Sequence, residues 1–224
     1  MKSEYLKKNP PSFHRSSGGE PIASWRIDDH TIDLLDGSLR PGMRTVETGA
    51  GLSTVLFALH GADHRCIVPD AALVERIQAF CREHRIPTEQ ITFDIVPSQD
   101  VVPVLERNTY DLALIDGCHN FPIAFVDLFY ASQALKVGGL LIVDDLHIWT
   151  CEVIAKFLRE SPSWGICEFT QRVCAAVKED EADTLAEWSS QPFVLSRSLA
   201  NSNYSPKIHA FRMALKALRE WLPA

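Results

Sequence analysis

Three aspartates follow two short apolar runs of this chain. Residues 111–115 lead into Asp116, and residues 139–143 lead into Asp144 and Asp145. Short runs rich in leucine and β-branched residues are typical of strands that are buried on both faces of a sheet. Parallel strands end at one edge of an open α/β sheet, where ligands bind. We therefore expect the three carboxylates to meet at that edge, where they repel one another unless a cation or a proton lies among them.

The same aspartates also have a structural interpretation, which stays open at this point. An aspartate at a strand-to-helix junction commonly caps the helix that follows it. Two histidines, His119 and His147, lie close behind the two acidic strand ends. Three acids with two imidazoles behind them favour a chemical role over capping alone.

A glycine turn follows the first predicted strand and contains Glu47, Gly49 and Gly51. Glycines at this place let the backbone turn tightly and let a ligand approach the main chain. A dinucleotide would need a third glycine, where this chain has Thr54, and an acid about 20 residues further on, where Asp70 stands. The alternative is a positively charged cofactor, which the acid at the strand end suits better than it suits a phosphate.

The elements that position these residues alternate between strand-like and helix-like patterns. Such alternation indicates a doubly wound, mostly parallel α/β sheet. After Pro162 the pattern changes to two strand-like runs, which predict an antiparallel C-terminal hairpin and complete a seven-stranded sheet. The predicted strands are 44–47, 65–68, 91–96, 111–115, 140–143, 164–169 and 173–178, and the predicted helices are 25–35, 53–60, 71–85, 101–107, 121–135 and 148–159.

Three parts are expected along the chain. Residues 1–40 form an N-terminal arm with a short helix, residues 41–180 form the α/β domain, and residues 181–224 form a C-terminal extension. The extension ends in an amphipathic helix from Ser205, with Pro206 at a first-turn position. We expect this helix to pack on the domain, and contact with a second subunit of a homodimer is the alternative.

Composition restricts the class of partner. The chain has 224 residues and a formal net charge of −7, without basic clusters, which argues against binding to nucleic acid or to an anionic membrane. It contains neither an apolar stretch of membrane-spanning length nor a signal-peptide pattern at its start. The six cysteines include no C-x-x-C pair, so we expect reduced thiols and a cytoplasmic protein.

At the glycine turn the chain resembles the class I S-adenosylmethionine-dependent methyltransferases. Their first motif has the form acid-x-Gly-x-Gly, often followed by Ser or Thr. The resemblance extends over roughly residues 44–160 and implies a Rossmann-like fold with S-adenosylmethionine as the cofactor. It also implies that the residues of the motif bind this cofactor, and these are Glu47, Gly49, Gly51, Ser53 and Thr54.

A Ser-Gln pair after the third predicted strand extends the resemblance to the catechol O-methyltransferase-like enzymes. In those enzymes the pair contacts the adenine ring, which implies that Ser98 and Gln99 bind the cofactor here. Ser98 also fits a helix N-cap, with Asp100 in the first turn. Both interpretations can hold at once.

The acidic strand ends match the metal-binding positions of the metal-dependent O-methyltransferases. The resemblance implies that Asp116, Asp144 and Asp145 hold Mg²⁺, which prefers oxygen ligands. It implies that His119 is the catalytic base and that Asp116 serves both catalysis and cofactor binding. An imidazole with an ordinary pKa of about 6.5 suits such work at neutral pH. The implied reaction is methyl transfer to a hydroxyl of a small-molecule substrate.

The chain departs from the family at the end of the second predicted strand. Family members usually carry an acid there that binds both ribose hydroxyls, whereas this chain has Val68. Asp70, two residues later, is the candidate replacement in the cofactor site. The departure also leaves open a second function, that of a non-catalytic binding protein that keeps the fold without the cofactor chemistry.

Overall fold

A seven-stranded mixed sheet is the framework of the structure, which is a computed structural model that describes residues 3–181 and 185–198. Its strands are β1 (Arg44–Thr48), β2 (Asp63–Ile67), β3 (Ile91–Asp94), β4 (Tyr110–Ile115), β5 (Leu135–Val143), β6 (Trp164–Phe169) and β7 (Cys174–Lys178). The spatial order is β3-β2-β1-β4-β5-β7-β6. Strands β1 to β5 pair in parallel, and β7 runs antiparallel to both β5 and β6. The predicted fold class, an α/β doubly wound sheet with an antiparallel C-terminal hairpin, is confirmed.

Hydrophobic clusters cover both faces of the sheet, as the unbroken apolar runs predict. Successive residues of a strand point to opposite faces. In β4, Leu112 and Leu114 therefore belong to one cluster, and Ala113 and Ile115 to the other. All four side chains are at most 1% exposed, which explains why β4 shows no polar alternation.

Helices lie between the strands, as the alternation predicts. The helix after β2 begins where the Asp70 side chain accepts a hydrogen bond from the Leu73 amide at 2.9 Å, an N-cap of the usual kind. The helices around the sheet are α1 (Ser3–Lys8), α2 (Asp29–Ser38), α3 (Leu52–Leu59), α4 (Ala71–Glu83), α5 (Ser98–Val101), α6 (Ile123–Ala134) and α7 (Trp149–Glu160).

The N-terminal residues carry more structure than the sequence predicts. Helix α1 was not expected, and Leu6 and Phe13 are buried in the hydrophobic core. The helix predicted over residues 25–35 begins only at Asp29. The reason is that the Asp28 side chain accepts a hydrogen bond from the Thr31 amide at 2.8 Å and so fixes the helix start.

The α-helix predicted over residues 101–107 is wrong, because only Val101 of this range is α-helical. Helix α5 ends at Val101 and is followed by a 3₁₀ turn over Val102–Val104. Pro103 lies within this turn and has no amide hydrogen to continue an α-helical ladder.

The chain divides into two compact units, Met1–Thr184 and Leu185–Ala224. The second unit, where described, contains a 3₁₀ helix at Trp188–Ser190 and helix α8 at Pro192–Arg197. The amphipathic helix predicted from Ser205 lies outside the described residues. Within the described ranges, no helix is both long enough and apolar enough to span a bilayer.

Backbone hydrogen bonds tie together the carboxyl ends of β1, β4 and β5. The Asp116 amide donates to the Thr48 carbonyl at 3.0 Å, and the Asp144 amide donates to the Ile115 carbonyl at 3.1 Å. The sheet ladder thus continues one residue past each strand. This continuation places the acidic ends of β4 and β5 side by side, next to the glycine turn after β1.

Two glycines permit this close approach. Gly49 has a φ of +98°, and a Cβ atom there would overlap the Asp116 carbonyl. A Cβ atom on Gly117 would lie 2.9 Å from the Thr48 carbonyl carbon. The loops after β1 and β4 therefore pack backbone against backbone, a contact that only glycine allows.

We expect Gly49→Ala to destabilise the fold by about 2–4 kcal/mol, because it adds a steric overlap to the cost of a left-handed backbone. The matched control is Gly42→Ala. Gly42 also has a positive φ, +77°, but a Cβ there would meet no described atom within 4 Å. The control should lose only about 1–2 kcal/mol. Urea unfolding measures both values, and equal losses would contradict the proposed backbone contact.

Candidate functional site

A cavity of about 690 Å³ opens at the carboxyl edge of the sheet. It brings together residues from the ends of the five parallel strands, β1 to β5, and from the segment before β1. The predicted site residues that line it are Gly49, Asp70, Ser98, Gln99, Asp116, His119 and Asp145. The predicted residues that do not line it are Glu47, Gly51, Ser53, Thr54 and Asp144.

Glu47 lies behind the glycine turn, where its side chain is fully buried. Its carboxylate accepts a hydrogen bond from the Ser53 hydroxyl at 2.6 Å and another from the Thr54 hydroxyl. The Gly51 amide in turn donates to the Thr54 hydroxyl oxygen at 3.1 Å. Four of the residues predicted to bind the cofactor therefore form a buried hydrogen-bond network that supports the glycine turn. These residues are Glu47, Gly51, Ser53 and Thr54.

His64 completes this network and was not singled out from the sequence. Its Nε2 atom lies 3.1 Å from a Glu47 oxygen, and its Nδ1 atom lies 2.8 Å from the Thr45 hydroxyl. The imidazole also stacks on Phe57, with ring centroids 3.9 Å apart. No pattern in the sequence identifies it, since His64 directly precedes the strand predicted over residues 65–68.

Asp116, His119 and Asp145 form a cluster of titratable side chains in the cavity. One potential ligand atom from each residue lies within 4.8 Å of the other two. His119 Nε2 is 3.3 Å from Asp145 Oδ2 and 3.8 Å from Asp116 Oδ1. The other Asp145 oxygen is 2.7 Å from the Arg172 guanidinium. Two carboxylates and one imidazole thus face one another.

The pKa values of all three groups in the cluster are shifted from their ordinary values. Burial, together with the nearby charge of Asp144, raises the pKa of Asp116 well above its ordinary value. The hydrogen bond with His119 lowers the pKa of Asp145. Burial lowers the pKa of His119, but hydrogen bonds with Asp145 and Cys151 outweigh this effect and raise the pKa to about 10. An imidazolium at neutral pH therefore balances the acidic cluster, so the ordinary value expected for His119 does not hold in this environment.

Asp144 does not belong to the convergent set, although the sequence predicts it as a metal ligand. The backbone of Asp145 is left-handed, with a φ of +57°, and its side chain lines the cavity. The Asp144 side chain instead stays in the interior, with the residue 1% exposed, and burial raises its pKa to about 6. The titratable groups that converge with Asp116 in the described residues are therefore Asp145 and His119.

The start of α7 holds His119 in place. The Thr150 hydroxyl donates to the His119 carbonyl, and the buried Cys151 Sγ lies 3.1 Å from His119 Nδ1. Both ring nitrogens of the imidazole are therefore engaged. No sequence motif identifies Cys151 for this task, since in the apolar run it is indistinguishable from a core cysteine.

Asp127 is a second residue that the sequence does not single out. It lies on α6 and is fully buried, and neither of its carboxyl oxygens has a hydrogen-bond partner among the described residues. The hydroxyls of Ser98 and Thr48, which line the cavity, lie close enough to lower its pKa, but burial dominates and raises the pKa to about 6. The feature of the sequence that could have identified Asp127 is a single acidic residue within a largely apolar predicted helix.

The sequence matches a known family over part of its length. Residues 46–146 match the family model described as a methyltransferase domain. No curated protein matches the sequence.

Solved structures of methyltransferases share the fold of this chain. One is the O-methyltransferase TomG from Streptomyces achromogenes in complex with SAM, at 14% identity and a TM-score of 0.58, covering 71% of this chain and 84% of that one. A methyltransferase from Geobacter sulfurreducens has 17% identity and a TM-score of 0.58, covering 70% and 82%. A putative O-methyltransferase from Klebsiella pneumoniae has 13% identity and a TM-score of 0.56, covering 79% and 95%. At these identities the likeness establishes the fold.

The buried acid on α6 generates a prediction about stability. An aspartate in an unfolded chain has a pKa of about 3.9. The folded protein binds the Asp127 proton more tightly, so this group lowers the free energy of unfolding as pH rises through about 4 to 6, and the loss is complete above that range. We expect Asp127→Asn to be more stable than the wild type at pH 7, by about 1–3 kcal/mol, and similar to it at pH 4.

Denaturant unfolding at the two pH values measures this difference. The control is Asp63→Asn, because the Asp63 side chain is 64% exposed and its neutralisation should change little at either pH. A stability gain for Asp127→Asn that is the same at pH 4 and pH 7 would contradict the assignment.

Proposed function

We propose that the protein transfers a methyl group from S-adenosylmethionine to a hydroxyl of a small molecule, because residues 46–146 match the methyltransferase-domain model and the sheet has the fold of solved methyltransferases. The observation that carries the proposal is one cavity lined by two chemically distinct sets of residues, which we assign to a donor end and an acceptor end. Ser98 and Gln99, the candidates for the donor adenine, line this cavity, and Asp116, His119 and Asp145 form a polar cluster in it.

The donor end combines backbone and apolar surface in the way that a nucleoside requires. Gly49 and Ala50 present main chain after β1, while Ile67, Leu73 and Pro97 line the wall. Ligand cavities that orient a substrate are mostly apolar, with a few polar groups that fix direction. We assign the cofactor contacts to Gly49, Asp70, Ser98, Gln99 and Asp116, and we assign a supporting role to the buried Glu47 network.

The cluster at the other end fits a divalent cation. Asp116 and Asp145 offer carboxylate oxygens, which lie within 4.8 Å of each other and of His119 Nε2. Oxygen ligands suit Mg²⁺, and His119 then stays free of the cation as a base. A bound cation would lower the pKa of an acceptor hydroxyl.

His119 is the group in this cluster that can move a proton. Its Nε2 atom faces both carboxylates, and their charge helps to keep it protonated. When that charge is neutralised, Nε2 becomes free to accept the proton of an acceptor hydroxyl. Asp145 stays oriented meanwhile, because Arg172 holds its second oxygen. Positioning supplies much of the rate, since the sulfonium of the donor is already an activated leaving group.

A non-catalytic binding protein is the second candidate function. The observation in its favour is Val68, an apolar residue that lines the cavity where the resemblance expects a ribose-binding acid. Such a protein would keep the cavity but not the methyl transfer.

Titration calorimetry with S-adenosylhomocysteine tests the donor assignment. We expect micromolar binding, because the preformed cavity offers both adenine and amino-acid contacts, and no comparable binding of NAD. Addition of Mg²⁺ or of EDTA should change this affinity little. An absence of S-adenosylhomocysteine binding at millimolar concentration would refute the proposed function. Binding without methyl transfer to any of a panel of hydroxylated aromatic compounds would favour the second candidate.

Cation binding separates the convergent set from the set predicted by the sequence. We expect Asp116→Asn and Asp145→Asn each to weaken Mn²⁺ binding at least ten-fold, because each removes a charged ligand. His119→Ala should not weaken it, because the imidazolium competes with the cation for the same carboxylates. His147→Ala should change it less than either carboxylate variant, since that imidazole is half-exposed and approaches only one oxygen of Asp145, at 3.6 Å. Electron paramagnetic resonance of Mn²⁺ measures the affinities. A loss for Asp144→Asn as large as that for Asp116→Asn would restore Asp144 as a ligand.

A further inference from the structure

The end of β2 lacks the acid that commonly holds the ribose of the donor. Strand β2 ends at Ile67, and both Ile67 and Val68 line the cavity with apolar side chains. If the proposed function holds, the ribose hydroxyls of the donor lie next to this wall. Hydroxyls that leave water need new hydrogen-bond partners, so other residues must supply them.

Asp70 can supply only part of this recognition. One of its oxygens accepts from the Leu73 amide at 2.9 Å, and the other lies 3.6 Å from the Arg76 guanidinium. The carboxylate is therefore committed on one side to the N-cap of α4. A single remaining oxygen cannot satisfy a vicinal diol as a free carboxylate would.

His14 brings a second polar group to the same end of the cavity. Its Nε2 atom would lie 3.3 Å from a Cβ atom on Gly51, which places the ring directly against the glycine turn. Arg76 and Asp70 are close enough to influence its pKa, which burial and Arg76 keep below the ordinary value despite the opposite effect of Asp70. The imidazole is therefore neutral at neutral pH and offers one donor and one acceptor nitrogen.

The segment that carries His14 is held firmly on α4. The Arg76 side chain donates to the Phe13 carbonyl at 2.6 Å, and the buried Phe13 ring packs edge-on against Phe80 with centroids 5.5 Å apart. The Ile22 amide donates back to the His14 carbonyl at 3.0 Å. Trp25 then packs edge-on against the His14 ring at 5.8 Å and lines the cavity beside it.

We propose that His14 and Asp70 together recognise the 2′ and 3′ hydroxyls of the donor ribose, so that the segment before β1 completes the donor site. The unprotonated imidazole nitrogen accepts from one hydroxyl. The Asp70 oxygen that does not cap α4, which lies 3.6 Å from the Arg76 guanidinium, accepts from the other. This inference rests on the proposed function. It assigns to the N-terminal segment a specificity that the methyltransferase domain, residues 46–146, does not itself contain.

The test measures binding of S-adenosylhomocysteine and of its 2′-deoxy and 3′-deoxy analogues by calorimetry. We expect the wild type to bind at least one deoxy analogue about ten-fold more weakly than the parent compound. His14→Ala should bind the parent about ten-fold more weakly and should lose that preference, because the group that senses the hydroxyl is gone. His14→Gln, which keeps a donor and an acceptor, should recover part of the preference.

His30→Ala is the matched control, since His30 is half-exposed and does not line the cavity. Thermal unfolding of each variant verifies that the fold is intact. The inference is overturned if His14→Ala keeps the wild-type affinity, or if it keeps the wild-type preference for the parent compound. A wild type that binds no S-adenosylhomocysteine overturns the proposed function itself, which is a different result from a wild type that binds it without sensing the ribose hydroxyls.

Discussion

Carboxyl groups that are shielded from bulk water lie along and behind the cavity at the carboxyl edge of the sheet. Each must be balanced by hydrogen-bond donors, by a positive charge or by a proton, because an uncompensated buried charge is strongly unfavourable. Glu47 receives donors from two hydroxyls and lies beside His64. Asp145 faces Arg172 and His119. Asp116 and Asp127 have neither enough hydrogen-bond donors nor a full counter-charge, and burial raises the pKa of both, which favours the protonated form. These acids are therefore balanced in unequal ways.

The sequence predicts the sheet well because its signals are local. Buried parallel strands are short apolar runs, and these runs identify β4 and β5 and the acids at their ends. The glycine at position 49 also follows from the sequence, although its reason is partly different from the expected one. It was expected to admit a ligand, and in the structure it also admits the Asp116 carbonyl of the neighbouring loop. Contacts between loops from distant parts of the sequence leave no periodic signal, so the pattern alone cannot reveal them.

The sequence could not predict, for a related reason, which of the Asp144 and Asp145 side chains lines the cavity. Two adjacent acids after a strand look equivalent, and only the left-handed backbone of Asp145 separates an interior side chain from one that lines the cavity. His14 illustrates the same limit over a longer range. It precedes β1 by many residues and lies in a segment rich in proline, serine and glycine, where no periodicity exists. Its place beside the glycine turn depends on Phe13 and Arg76, a contact between segments far apart in the chain.

The chemistry of His119 follows from the electrostatics of its neighbours. A proton on its imidazole and a divalent cation between Asp116 and Asp145 are two ways to balance the same negative charge. With the proton in place, His119 cannot accept another, and the site holds no base. A cation held by Asp116 and Asp145 would replace the imidazolium as the balancing charge and would activate the acceptor hydroxyl, while His119 would be left neutral and able to accept a proton. The proposed base and the proposed cation site are therefore thermodynamically linked, and Cys151, which contacts the opposite ring nitrogen, keeps the imidazole oriented in both states.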